Sequence, residues 1–196
     1  VSVANPEKKV HTVKGSQGDL DKMIPFDAEV VMVVGEGIAK IGKSLKTNRN
    51  IFIAGIEENP DLVDTTKVEV DDVICSSTST LEIPYDDQSF DCILVLGTLG
   101  RSANPKAFLE KIEKCLKPEG TLIIKFPNVQ SIQAINYLIE GGSDPKSDSI
   151  FNNEPHGFLT VSDYRRLLKG SRFHIESTEE IVDSNYDSLA TTDTTV

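Results

Sequence analysis

Two stretches of this chain have residue types and spacing suited to holding a small ligand through its backbone-facing polar groups. The first is VVMVVGEGIAKIGKSLK, residues 30–46. Five apolar residues run into Gly35 and Gly37, and Gly42 follows. A strand that breaks at glycines and opens a helix lets the backbone approach a ligand closely, with helix N–H groups facing it. The spacing G-x-G-x-x-x-x-G lacks the third glycine common in dinucleotide turns, because Ala39 stands there; taken alone it fits a plain strand-turn-helix equally well. The second is Glu57, at the end of the apolar run 51–56 and about 20 residues beyond the glycine turn, where an acid can accept both hydroxyl hydrogens of a ribose. A solvated loop acid or a helix N-cap is the competing reading. Strand, spacing and glycine turn together favour the ribose role, with Glu58 pointing elsewhere.

Other reactive side chains are scattered. His156 is the best candidate base, since a neutral imidazole can take a proton from a hydroxyl near pH 7; a structural histidine fits its position equally well. His11 and His174 are less suited, one in the first residues and one in a strand pattern. Asp86, Asp87 and Asp91 read as turn and strand-start chemistry rather than a metal site. Arg101, just past a strand, faces either an anionic acceptor or solvent. Cys75, Cys92 and Cys115 form no C-x-x-C pair, so no zinc site is expected and buried free thiols suit a reducing, cytoplasmic setting.

These residues need elements to position them. Apolar runs predict strands over 30–34, 51–56, 68–75, 89–96, 121–126 and 173–178. Helical periodicity follows the glycine turn, with Ile38, Ile41 and Leu45 on one side. It recurs at Phe108, Leu109, Ile112, Cys115 and Leu116, behind an Asn104 cap and Pro105. Further helices are expected at 19–24, at 129–139 and after a Thr160 or Ser162 cap. Residues 61–66 read as a short connection and 143–155 as a polar loop. Strands alternating with helices predict a doubly wound, mostly parallel α/β sheet in three layers. Its strand ends line one rim, at 35–37, 57–59, 75–79, 96–100 and 127–128. The expected organisation is one domain over 15–182, a polar arm at 1–14, and an acidic, Ser/Thr-rich, poorly ordered tail at 183–196.

Composition narrows the partners. The net charge of −11 over 196 residues leaves no basic surplus for nonspecific nucleic-acid or anionic-membrane binding. The longest apolar runs are strand-length, too short to span a membrane, and no secretory pattern opens the chain.

With the motifs in hand, the chain resembles the class I S-adenosylmethionine-dependent methyltransferases from about residue 20 to 181. VVMVVGEGIAKIGKSLK is similar to the family's first motif. IAGIEENP is similar to the second, ending in the ribose acid. IPYDDQSFDCILVLGTLGRSANP resembles the stretch from adenine loop to fourth strand, and LKPEGTLIIKFPN the fifth-strand motif. EPHGFLTVSDYRRLLKGSRFHI resembles the late helix and strand of small-molecule and sugar O-methyltransferases, in a surface-glycan subgroup. The resemblance implies S-adenosylmethionine as cofactor. Backbone at Gly35, Glu36 and Gly37 would meet its methionine part, and Glu57 its ribose. Ser79, Thr80 and Ile83 would cover the adenine, and Leu96 and Gly97 would lie under the sulfonium. It also places His156 beside a small-molecule or glycan hydroxyl. The chain departs from the family pattern at Val33, Glu36, Ala39 and Ser79. A second expectation is therefore an inactive methyltransferase-like scaffold that holds a protein partner, through itself or its acidic tail. A nicotinamide dehydrogenase fits less well, because the glycine spacing differs and no catalytic pair stands out.

Overall fold

In the computed structural model, residues 8–15, 20–77, 82–126 and 160–181, with positions 135 and 139, are the described residues. The strands are β1 (Lys8–Gly15), β2 (Val30–Gly35), β3 (Phe52–Glu57), β4 (Asp72–Cys75), β5 (Phe90–Leu96), β6 (Leu116–Phe126) and β7 (Phe173–Ile181). The helices are α1 (Ile38–Asn48), α2 (Pro60–Lys67), α3 (Pro105–Cys115) and α4 (Val161–Lys169), with 3-10 turns at Leu20–Met23 and Leu99–Arg101. The strands form one sheet in the order β4-β3-β2-β5-β6-β1-β7. Every described pairing is parallel.

Burial on both faces explains the continuous apolar runs. Val31, Val33, Ile53 and Leu94 pack toward Ile38, Ile41 and Leu45 of α1. Their alternating neighbours Met32, Val34, Ile56 and Val95 pack toward Phe108 and Ile112 of α3 and Leu168 of α4. This is the expected three-layer, doubly wound architecture. Its caps follow the sequence: Asn104 Oδ1 accepts from the Ala107 N–H with Pro105 in the first turn. Thr160, rather than Ser162, caps α4 in a reciprocal box with Asp163.

The largest departure is at the start. Residues 8–14 were expected in an arm outside the domain, yet β1 lies inside the sheet between β6 and β7. Val10 and Val13 are fully buried, one on each face. The polar residues between them find partners on β7: His11 Nδ1 lies 2.8 Å from Ser177 Oγ, and the Thr12 hydroxyl donates to Thr178 Oγ1 at 2.9 Å. Lys8 Nζ donates to the Leu116 and Glu113 carbonyls at the end of α3. A strand whose polar side chains are satisfied by neighbours carries little hydrophobic pattern.

Smaller corrections concern local chemistry. Residues 61–66 are helical, within α2, because Asn59 caps the Asp61 N–H and Pro60 fits the first turn. β6 begins at Leu116, ahead of the Pro-Glu-Gly turn, and the register shift opposite Phe90 and Cys92 absorbs the extra residues. Cys92 and Cys115 are buried, but Cys75 is exposed on the edge strand β4. The helix expected at 129–139, the loop at 143–155 and the tail at 183–196 lie outside the described residues, apart from positions 135 and 139. Among the described residues no helix is long and apolar enough to cross a membrane.

Asp91, of the acidic cluster, serves the start of β2 and β5. Its Oδ2 accepts the Glu29 and Val30 N–H groups, and its Oδ1 accepts Lys117 Nζ at 2.6 Å. Burial opposes the charged form, but Lys117 and the two N–H groups outweigh it and hold the carboxyl below the usual range. A carboxyl with a depressed folded pKa contributes stability that is present above its unfolded value, about 3.9, and lost as pH falls through the folded pKa. Asp91→Asn is therefore expected to cost about 1.5–3 kcal/mol at pH 7 and to flatten the loss of stability below about pH 4. Urea unfolding across pH 3–7 checks both.

Candidate functional site

The sheet order places the reversal of strand direction of growth between β2 and β5, because β3 lies on one side of β2 and β5 on the other. In open α/β sheets ligands bind in the crevice outside the strand ends at such a point. The glycine turn forms one wall. Gly35 has φ 104° and Gly37, the N-cap of α1, has φ 78°. A Cβ on Gly35 would stand 2.3 Å from the Leu96 carbonyl oxygen and 2.4 Å from Thr98 Cγ2, so only glycine fits. The Glu36 N–H donates to that same Leu96 carbonyl at 3.2 Å, which ties the turn to β5. Opposite, Gly97 has φ 71° and its N–H donates to the Lys125 carbonyl at 3.0 Å.

Glu57 closes the third side. It ends β3, is only 6% exposed, and its Oε1 accepts the Asn59 N–H at 3.0 Å. The loop-anchoring reading and the ligand reading are thus compatible: one carboxylate has up to four acceptor positions. Ser76, just past β4, donates its N–H to the Glu57 carbonyl and accepts the Glu82 N–H on Oγ. Ile83 and Tyr85 pack half-buried against the core. Tyr85 donates to Asp72 at 2.7 Å, and burial together with Asp72 raises its phenol well above the ordinary range. Gly35, Glu36, Gly37, Glu57, Leu96 and Gly97 therefore lie together at the carboxyl ends of the adjacent parallel strands β2, β3 and β5. Ser79, Thr80 and His156 lie outside the described residues.

Three side chains here were not singled out as cofactor contacts from sequence. Arg101, in the turn after β5, donates from Nη1 to Glu36 Oε1 at 2.6 Å and from Nη2 to Glu58 Oε2 at 2.9 Å. Its side chain is 12% exposed, which removes the solvent-facing reading. Burial works against the charged guanidinium, but the two carboxylates outweigh it and raise its pKa above the ordinary value. Lys125, near the end of β6, is depressed by burial, with Glu36 partly offsetting the loss. Thr98 is fully buried, and its Oγ1 has no hydrogen-bond partner among the described residues. No local pattern marks these three, since Arg101 lies 65 and 43 residues from its partners.

The orphaned Thr98 hydroxyl has a measurable consequence. A buried polar group without a partner costs about 1–3 kcal/mol. Thr98→Val is expected to raise the stability of the ligand-free protein by about 1 kcal/mol, read as an increase in the urea midpoint without a change in slope.

Known proteins resemble this chain in sequence and fold. A family model described as "Methyltransferase domain" matches residues 32–124, the span from β2 through the glycine turn, Glu57 and β5 into β6. An uncharacterized methyltransferase of Mycobacterium tuberculosis is 23% identical over 146 residues, 72% of this chain and 58% of the relative; the chain thus spans little more than half the relative's length. A possible histamine N-methyltransferase from Thermotoga maritima superposes with a TM-score of 0.59 at 22% identity, covering 77% of this chain and 66% of that one. A plantazolicin methyltransferase solved in complex with SAH superposes at 0.56 with 20% identity, covering 73% and 55%. By sheet order and superposition, this chain has the doubly wound, Rossmann-like fold of these methyltransferase structures, and the matched span covers 93 of its 196 residues.

Proposed function

We propose that this domain binds S-adenosylmethionine in the crevice between β2 and β5 and transfers its methyl group to a hydroxyl of a small molecule or a sugar or glycan precursor. The observation that carries the reading is the close apposition of the positive-φ turn at Gly35 and Gly37 with the buried carboxylate of Glu57 on the neighbouring strand. The methionine part lies along Gly35, Glu36 and Gly37, where backbone N–H groups of the α1 N-terminus face the carboxylate end. Glu57 takes the ribose hydroxyls with the acceptor capacity that Asn59 leaves. Ser79, Thr80 and Ile83 cover the adenine. Leu96 and Gly97 lie under the sulfonium. His156 takes the acceptor's proton as the methyl group moves. The cofactor supplies the activated methyl, and the chain's task is to align acceptor, methyl and sulfur in a line while excluding water.

Calorimetric titration with S-adenosylmethionine and S-adenosylhomocysteine tests the binding half of this reading, and methyl transfer to candidate sugars tests the rest. Binding at micromolar concentration is expected; no heat at millimolar ligand sinks it.

A second reading has a specific observation behind it. The Arg101 bridge to Glu36 and Glu58 crosses the crevice from the β5 side to the β3 side. Val33, where the resembled family carries an acid, is fully buried in the core. A domain that has closed its own cofactor crevice would serve as a scaffold for a protein partner. Retention of an empty pocket in a purified complex would favour that reading, and turnover with bound cofactor would exclude it.

A further inference from the structure

The position that the cofactor reading assigns to a cation already holds one. Both halves of the Arg101–Glu36 pair hang over Gly97. An added Cβ at Gly97 would lie 3.7 Å from Arg101 Nη1, 3.8 Å from Glu36 Cδ and 3.8 Å from Glu36 Oε2. The guanidinium's other arm reaches Glu58 at 2.9 Å, one residue past the buried Glu57. The two glutamates therefore spend their charge on an internal partner, in a place where the arginine is largely removed from water. Charges in such a place are screened far less than exposed ones.

S-adenosylmethionine and its product differ by one charge at one atom. The donor carries a sulfonium, an ammonium and a carboxylate, for a net charge of +1. When the acceptor's lone pair bonds the methyl carbon, the C–S bond breaks with its pair kept by sulfur, which becomes a neutral thioether, and the net charge is zero. Adenine, ribose and the amino-acid end are unchanged. An arginine beside the sulfur is a like charge to the donor and nearly indifferent to the product. A carboxylate there acts in the opposite sense.

We propose that Arg101, paired with Glu36 and Glu58 over Gly97, is a specificity-determining counter-charge that sets the crevice's preference between the cationic methyl donor and its neutral product. This inference rests on the cofactor reading above. It assigns to Arg101 a role in imposing product inhibition, separate from holding the fold. The guanidinium neutralises the two carboxylates that would otherwise favour the donor, so removing it shifts the preference toward the donor. Removing Glu36 leaves the guanidinium less compensated and shifts the preference toward the product.

The readout is the ratio of the dissociation constants for S-adenosylmethionine and S-adenosylhomocysteine, measured by calorimetry on the full chain. Arg101→Met is expected to change this ratio at least fivefold in favour of the donor. Arg101→Lys, which keeps the charge, is expected to stay within twofold of the parent. Glu36→Gln, at a side chain that is 65% exposed and so safe for folding, is expected to change it several-fold toward the product. A merely structural strap would weaken both ligands equally and leave the ratio alone, and that result overturns the inference while leaving the cofactor reading intact. An unchanged ratio in Glu36→Gln does the same if Arg101→Met fails to fold. Absence of binding by either compound to the parent chain overturns the cofactor reading and this inference with it.

Discussion

Replacing Gly35 by alanine is expected to destabilise the domain by about 3 kcal/mol or more, since backbone strain of about 1–3 kcal/mol adds to an overpacking cost of similar size. Two independent features of the turn produce this. At φ 104° an L side chain is strained wherever there is room. Here there is none, because the Cβ meets the Leu96 carbonyl oxygen at 2.3 Å and Thr98 Cγ2 at 2.4 Å. The second contact is with a side chain and is relieved in the double variant Gly35→Ala with Thr98→Ser. The first is with backbone paired in the β2–β5 ladder and persists. The double variant should therefore recover only part of the loss. For a chain of this size each kcal/mol moves the melting temperature by about 2–4 °C, so a drop of about 6–12 °C is expected. A drop below 2 °C would mean that the turn adjusts freely and is not the rigid wall of the crevice.

The second large effect concerns the ligand rather than the fold. Glu57→Ala is expected to weaken S-adenosylmethionine tenfold or more, about 1.4 kcal/mol. The carboxylate is buried at a strand end and already positioned by the Asn59 N–H, so under the proposed function it would meet the ribose pre-oriented. Alanine removes the loop anchor and, under the proposed function, the ribose acceptor as well. Glu57→Gln separates them, because its amide oxygen can keep Asn59 while its NH₂ cannot accept a hydroxyl hydrogen. Both variants should bind weakly, but only the alanine should also lose stability. Equal affinity in parent and Glu57→Gln would remove Glu57 from the ribose.

The pattern of agreement follows from the range over which each force acts. The doubly wound sheet was legible because strands covered on both faces read as unbroken apolar runs, and helices that cover them read as apolar stripes; VVMVV and FDCILVL each specify burial locally. The glycine turn was legible because positive φ demands a residue type, and the Asn104 and Thr160 caps because they are satisfied within three residues. Glu57 was legible through its place at the end of such a run. β1 was hidden because His11 and Thr12 are satisfied by side chains 166 residues away, where no local pattern can register them. α2 was hidden because it buries little beyond Thr66, so only the Asn59–Pro60 cap announced it.

The sequence by itself determined six of the sheet's seven strands, the turn and the strand-end acid, since each is set by the chemistry of a short segment. Only the tertiary structure decided what stands in the crevice. Arg101, Glu36 and Glu58 come from three separate strand ends, and a charged hydrogen bond between them exists only once the parallel sheet has brought those ends to one rim.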